Sequence, residues 1–154
     1  FRVHQFNKVE QVVYCKPEES YKFFDELQKN AEELFTELGI PFRVVNICTG
    51  DLGNKQALQY DIEAWMPGQK EGKGAYREVT SCSNVTSYQA VTLNTKYLKQ
   101  DGTREYVHML NNTALATSRV IVAILENFQT KNGTVKIPKA LWPYMSGIKE
   151  IKGK

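Results

Sequence analysis

Cysteine is scarce in these 154 residues: Cys15, Cys48 and Cys82 lie far apart, with no Cys-x-x-Cys pair and one necessarily unpaired. That excludes a disulfide framework and a thiolate metal site of the usual spacing, and it fits a reduced, intracellular protein. Histidine is scarcer still. His4 and His108 have no Cys/His cluster near them, so both read as structural rather than metal-ligating. No apolar run approaches the ~20 residues that span a bilayer, and no signal-like segment opens the chain, so no membrane partner is expected. Neither charge dominates: 20 Lys and Arg against 17 Asp and Glu leave a net charge of +3. That permits contact with nucleic acid without arguing for it, since a basic patch acts only where it is clustered. Repeats, low-complexity tracts and linkers are missing, and so is a glycine-rich phosphate loop of either common type. If a nucleotide is held here, a sheet surface and side chains must hold it.

What is present suits one globular domain, 42% hydrophobic and 24% charged. Phe1–Tyr14 alternates, is rich in Val and Phe, and reads as a strand, so the chain is expected to open inside a larger unit. Lys16-Pro17-Glu18-Glu19 reads as a helix start, with Pro in the first turn and acids near the positive end of the dipole. Tyr21, Phe24, Leu27, Ala31, Leu34, Phe35 and Leu38 continue it at three- and four-residue spacing, and Gly39 closes it. Strands follow at Phe42–Cys48 and Leu58–Trp65. In the second, Tyr60, Ile62 and Ala64 alternate with Asp61, Glu63 and Trp65. A loop from Pro67 to Gly74 leads to a strand over Ala75–Cys82. Thr86 with Gln89 forms a capping box for a helix to about Leu98. Asp101-Gly102 turns into a strand over Arg104–Leu110, and Leu115–Phe128 reads as a helix apolar almost all round and therefore buried. Asn132-Gly133 and Pro138 mark the exit into a Lys-rich tail. Successive strands without a regular helix between each pair imply an antiparallel sheet with helices packed on it, an α+β fold and not a doubly wound one.

Two groups of polar residues are left over by this reading. Arg119 stands near the start of the most hydrophobic helix, where a cation opposes the dipole while the free amides attract anions. It reads either as a solvated arginine or as a phosphate ligand. Arg77-Glu78-Val79-Thr80-Ser81-Cys82-Ser83-Asn84 packs a carboxylate, hydroxyls and an amide into one strand end. That is an ordinary polar terminus or a hard-cation and nucleotide site, since Mg²⁺ takes one or two protein oxygens and completes its shell with phosphates.

Three blocks then carry a resemblance. Arg2-Val3-His4-Gln5-Phe6-Asn7-Lys8-Val9-Glu10 resembles the return strand of motif 2 in class II aminoacyl-tRNA synthetases, in its seryl form. Tyr60–Pro67 followed by Tyr76–Asn84 is similar to the central signature of the seryl enzymes, and Leu110–Arg119 resembles their motif 3. The blocks stand in the family's order, and the resemblance runs from Phe1 to about Ile151. It implies the antiparallel class II catalytic fold, with this chain as the C-terminal part of the catalytic domain, and serine–tRNA ligase activity using ATP and Mg²⁺. It also implies the residue roles. Phe6 stacks on adenine, and Val79 and Thr80 lie along the nucleotide. Glu78 and Ser81 hold Mg²⁺ and ATP, and Arg119 reaches the γ-phosphate. Glu10 faces the serine ammonium or hydroxyl, and Asn84 and Thr113 line the serine pocket. The implied partners are serine and tRNA(Ser), the implied assembly a homodimer, and the implied location cytoplasmic.

Departures from the family pattern matter as well. The Phe-Arg-x-Glu segment of motif 2, motif 1, the Thr-x-Glu serine loop and the tRNA-gripping helical hairpin are not in this sequence. Asn112 stands where many relatives have glycine, which is expected to alter the edge of the pocket. The first strand is expected to have an unpaired edge, so the chain is expected to dock to another segment or to self-associate. The alternative reading is a synthetase-like paralogue or interaction domain that binds serine or an adenylate without charging tRNA.

Overall fold

A computed structural model describes residues 1–153. In chain order it runs β1 (Lys8–Cys15), a 3-10 turn (Pro17–Glu19), α1 (Ser20–Leu38), β2 (Phe42–Asn46), β3 (Leu58–Met66) and the single turn α2 (Gln69–Gly72). It continues through β4 (Ala75–Asn84), α3 (Tyr88–Leu93), β5 (Lys96–Leu98), β6 (Arg104–Tyr106), β7 (His108–Ala116) and α4 (Thr117–Phe128). The small strands β8 (Val135–Lys136) and β9 (Glu150–Ile151) pair near the end.

Among the described residues the main sheet has the order β1-β7-β4-β3-β2, and every neighbouring pair is antiparallel. The expected α+β architecture is therefore the one observed. The periodic apolar stripe of α1 is what glues it to the sheet: Phe24, Leu27, Ala31, Phe35 and Leu38 are all buried. Phe24 meets Tyr60 of β3 edge-on, with ring centroids 4.9 Å apart. Gly39 ends the helix at φ 68, and its N–H donates back to the carbonyls of Phe35 and Thr36. Val120 and Ala123 of α4 join Ala31, Phe35, Ile62, Ala64, Met66 and Val79 in the same core, so α1 and α4 cover one face of the sheet. On the other face α3 buries only a corner, with Ala90 against Val85, Val107 and Met109. Val12 and Tyr14 of β1 stay exposed there.

The four largest departures from the sequence pattern each have a local reason. The first strand begins at Lys8 rather than Phe1, because its neighbour β7 ends opposite it at Ala116 and turns into α4. The carbonyl of Asn7 is instead taken by the N–H and hydroxyl of Thr117. The Thr86/Gln89 capping box does not form. Thr86 has φ 46, Ser87 is the N-cap without a side-chain bond, and Asn94 at φ 52 stops the helix long before Leu98. The expected strand over Arg104–Leu110 is two strands broken at Val107, whose N–H goes to the carbonyl of Thr95. Helix α4 starts at Thr117, and it is buried on one side only, since Ile121 and Leu125 are exposed. None of the helices among the described residues is long and apolar enough to cross a membrane.

Candidate functional site

Two irregularities in the sheet build the site. Between Val9 and Glu10 the β1–β7 register slips by one, Ala114 is left without a partner, and Glu10 comes to face Thr113. Between Ile62 and Glu63 the β3–β4 register slips likewise, Val79 is skipped, and Glu78 comes to face Glu63. Bulges of this kind re-aim side chains, and here each lies beside a carboxylate. Two carboxylates opposed across strands repel, yet each has its own arginine. Arg43 lies 2.6 Å from Glu63, and Arg119 lies 3.2 Å from Glu78 Oε1 while also donating to the Glu78 carbonyl at 3.0 Å.

A cavity of about 200 Å³ opens between these elements. Phe6, Glu78, Val79, Thr80, Ser81, Thr113 and Arg119 line it, together with Lys8 and Ala116. Every residue expected to contact the nucleotide is therefore in its wall. Phe6 is half exposed at the rim, in the irregular segment that Thr117 ties down through Asn7. Val79 and Thr80 are almost wholly buried and form the floor, and the Thr80 hydroxyl has no hydrogen-bond partner. The first turn of α4 carries Arg119 and has no side-chain cap; the Thr117 N–H is taken by the Asn7 carbonyl, and the amides that follow it are the ones left to meet an anion. Glu10 adjoins the cavity through Thr113, whose hydroxyl donates to Glu10 Oε2 at 3.0 Å. Lys8 Nζ meets the same oxygen at 2.9 Å.

Two asparagines fall elsewhere. Asn84 does not join the cavity: it is fully buried, and its side-chain oxygen accepts the Thr86 N–H at 3.0 Å, shaping the turn into α3. Its register partner Leu110 lies in the core under α1, so Asn84 projects to the helix-covered face. Asn112 is likewise fully buried and donates to the Leu27 carbonyl of α1 at 2.6 Å, so it leaves the pocket edge unaltered. Its neighbour in β1, Gln11, donates to the same carbonyl at 3.3 Å. Alternation instead puts Asn111, and its partner Ser83, on the same face as Thr113.

Sequence reasoning also passes over Asp61, the register partner of Ser81. Burial holds its carboxyl above the usual aspartate range, while a hydrogen bond from Gln59 at 2.8 Å pulls the other way. Glu78 and Glu63 push it up further and Arg119 pulls it down, so it shares the electrostatics of the cavity wall. The period-two alternation of β3 is a signal for it. The slip that sets Glu78 beside it has none.

The donor set fits a hard cation brought in by a nucleotide. Glu78 and Ser81 offer oxygens at the cavity wall, which suits Mg²⁺ with phosphates completing its shell. No group of three or more His, Cys, Asp or Glu side chains among the described residues forms a cage of its own.

Known proteins resemble this chain in sequence and fold. The model of the tRNA synthetase class II core domain (G, H, P, S and T) matches residues 1–128. The serine–tRNA ligase of Picrophilus torridus is 58% identical over 154 residues, which cover 99% of this chain and 33% of the relative. That of Pyrococcus furiosus is 62% identical over 152 residues, covering 98% and 32%. The crystal structure of seryl-tRNA synthetase from Pyrococcus horikoshii complexed with ATP superposes with a TM-score of 0.92 at 60% identity, covering 100% of this chain and 34% of that one. The cytoplasmic serine–tRNA ligase of Naegleria fowleri in complex with AMP gives 0.92 at 51% identity, covering 100% and 36%. The chain thus spans about a third of the length of the relatives it matches.

Proposed function

The chain belongs to the family of class II tRNA synthetase core domains, and from that premise we propose that it is the C-terminal part of the catalytic domain of a serine–tRNA ligase. The observation that carries the reading is convergence. Phe6, the Glu78–Ser81 stretch, Thr113 and Arg119 come from three distant parts of the sequence and line one cavity, with Glu10 at its border. The substrates are serine, ATP and tRNA(Ser), and the full enzyme is a cytoplasmic homodimer.

In the reaction the serine carboxylate attacks the α-phosphorus of ATP, the bond to the β-phosphate oxygen breaks, and seryl-adenylate and pyrophosphate result. The tRNA 3′ end then takes the acyl group and AMP leaves. This chain's residues position and neutralise. Phe6 offers its ring face to adenine, a flat π surface that stacking suits. Arg119 gives up its hold on Glu78 to pair with the γ-phosphate, for which its planar fork is well matched. Glu78 and Ser81 would hold Mg²⁺. When bound there, Mg²⁺ neutralises the phosphates and orients them for in-line displacement. Glu10 takes the serine ammonium or hydroxyl, with Thr113 fixing its carboxylate. A polar pocket of this kind rejects alanine, which would leave its groups unpaired, whereas threonine must be refused by size. Asn111 shares the Thr113 face of the sheet and is assigned with it to the serine, whereas Asn84 shapes the turn into α3. No general base is needed, because positioning and charge neutralisation carry phosphoryl chemistry of this class.

The test is serine-dependent exchange of pyrophosphate into ATP, with alanine and threonine as controls. Exchange with serine alone, reduced at least about a hundredfold in Arg119→Ala, is the expected outcome, the loss of a charged transition-state contact. Exchange that survives Arg119→Ala, or that alanine supports equally, contradicts the proposed roles.

A further inference from the structure

Lys8 stands between the two halves of the site and belongs to neither in the roles given above. Its ammonium lies 2.9 Å from Glu10 Oε2, the oxygen that also accepts from Thr113. The same residue lines the cavity that holds Glu78, Ser81 and Arg119. One cation is thus within reach of two anions: the protein's own Glu10, and any polyphosphate that enters the cavity. We infer that Lys8 couples the two subsites, pairing with Glu10 or with the phosphates, so that a nucleotide in the cavity frees Glu10 to take a ligand's ammonium.

The inference rests on the proposed reading of the site, and three features support it beyond that reading. The Lys8 side chain is 45% exposed, so packing does not fix the ammonium in place. An exposed ion pair of this kind is worth little and is readily exchanged for a stronger partner. Lysine also suits an exchange between partners, because its point charge rides on a flexible four-carbon stem, whereas Arg119 is anchored at both the carbonyl and the carboxylate of Glu78. While Lys8 neutralises Glu10, an incoming ammonium meets a carboxylate that is already paired. Once a triphosphate draws Lys8 away, the carboxylate keeps the Thr113 hydroxyl but no cation. Reciprocity requires that an amino acid on Glu10 in turn strengthen nucleotide binding by the same factor.

Calorimetry on the whole chain tests this with serine and a non-hydrolysable ATP analogue with Mg²⁺, each alone and then together. In the wild type the analogue should tighten serine binding roughly five- to tenfold, within the usual range of intersite coupling. In Lys8→Met serine alone should bind more tightly than in the wild type, since its competitor is gone, and the analogue should change that affinity by less than about twofold. Lys8→Arg should restore part of the coupling, and Lys8→Gln should repeat the methionine result. Thermal unfolding of each variant confirms the fold. Coupling in Lys8→Met equal to the wild type, or no coupling in a wild type that binds both ligands, overturns the role of Lys8 and leaves the site assignment standing. A wild type that binds neither ligand overturns the site assignment and the coupling together.

Discussion

At the scale of single residues, the acid that matters beside the proposed ligands is Asp61. Its carboxyl is held above the ordinary aspartate value chiefly by burial. In the unfolded chain the same acid ionises at its ordinary value. Between that value and the raised one the unfolded state therefore binds fewer protons, and stability falls as pH rises through the window. Asp61→Asn should flatten this fall: urea unfolding of both proteins from acid to neutral pH should show a smaller loss in the variant, and parallel curves would refute it. The thiols give a second check. Burial pushes Cys82 up to about 12 and raises Cys15 as well, whereas Cys48 is exposed. Iodoacetamide at mildly alkaline pH should add one adduct quickly, at Cys48, and two more only on unfolding, as mass spectrometry would read. The side chains legible in the sequence are those with an awkward setting, such as Arg119 at a helix start. Asn84 and Asn112 fall outside the pocket because strand neighbours alternate between faces, and the slips that set their parity leave no mark in the sequence.

At the scale of elements, period and punctuation tell most of what is needed. The apolar stripe of α1 and its stop at Gly39 are legible to within a few residues, as are β3 and β4. What stays hidden depends on neighbours. Strand β1 starts where β7 can pair with it, and the boundary of α4 follows from the hold of Thr117 on Asn7. The turn between β3 and β4 offers a test of local packing. Gly74 has φ 78, and a Cβ there would run into the Trp65 ring. That ring is itself set against Tyr76, with centroids 5.1 Å apart. Gly74→Ala should cost about 1–3 kcal/mol, the usual penalty for an overfilled site, read from the urea midpoint. A loss within experimental error would mean that neither the indole nor the left-handed backbone resists the added methyl group.

At the scale of the whole molecule, the sheet has two open margins, β1 and β2. Val9, Val12 and Tyr14 are exposed along the first of them. A margin of this kind is a template for another strand, and the charged Lys8 and Glu10 sit at one end only. Light scattering after size exclusion should show association that grows with concentration, and Val12→Lys should suppress it. A monomer at every concentration would sink the idea. The antiparallel α+β layout is legible because no regular helix stands between each pair of successive strands. The coverage of one face by both α1 and α4 is not, since only packing decides it.

The carbonyl of Leu27 has a consequence at this scale. Gln11 and Asn112 reach it from β1 and β7, and the residues next to them in sequence are Glu10 and Thr113. The partition between the oily interior and the chemistry is one peptide thick. A side chain altered beneath the sheet is thus felt above it, and the hydrophobic half of this protein helps to set the precision of its polar half.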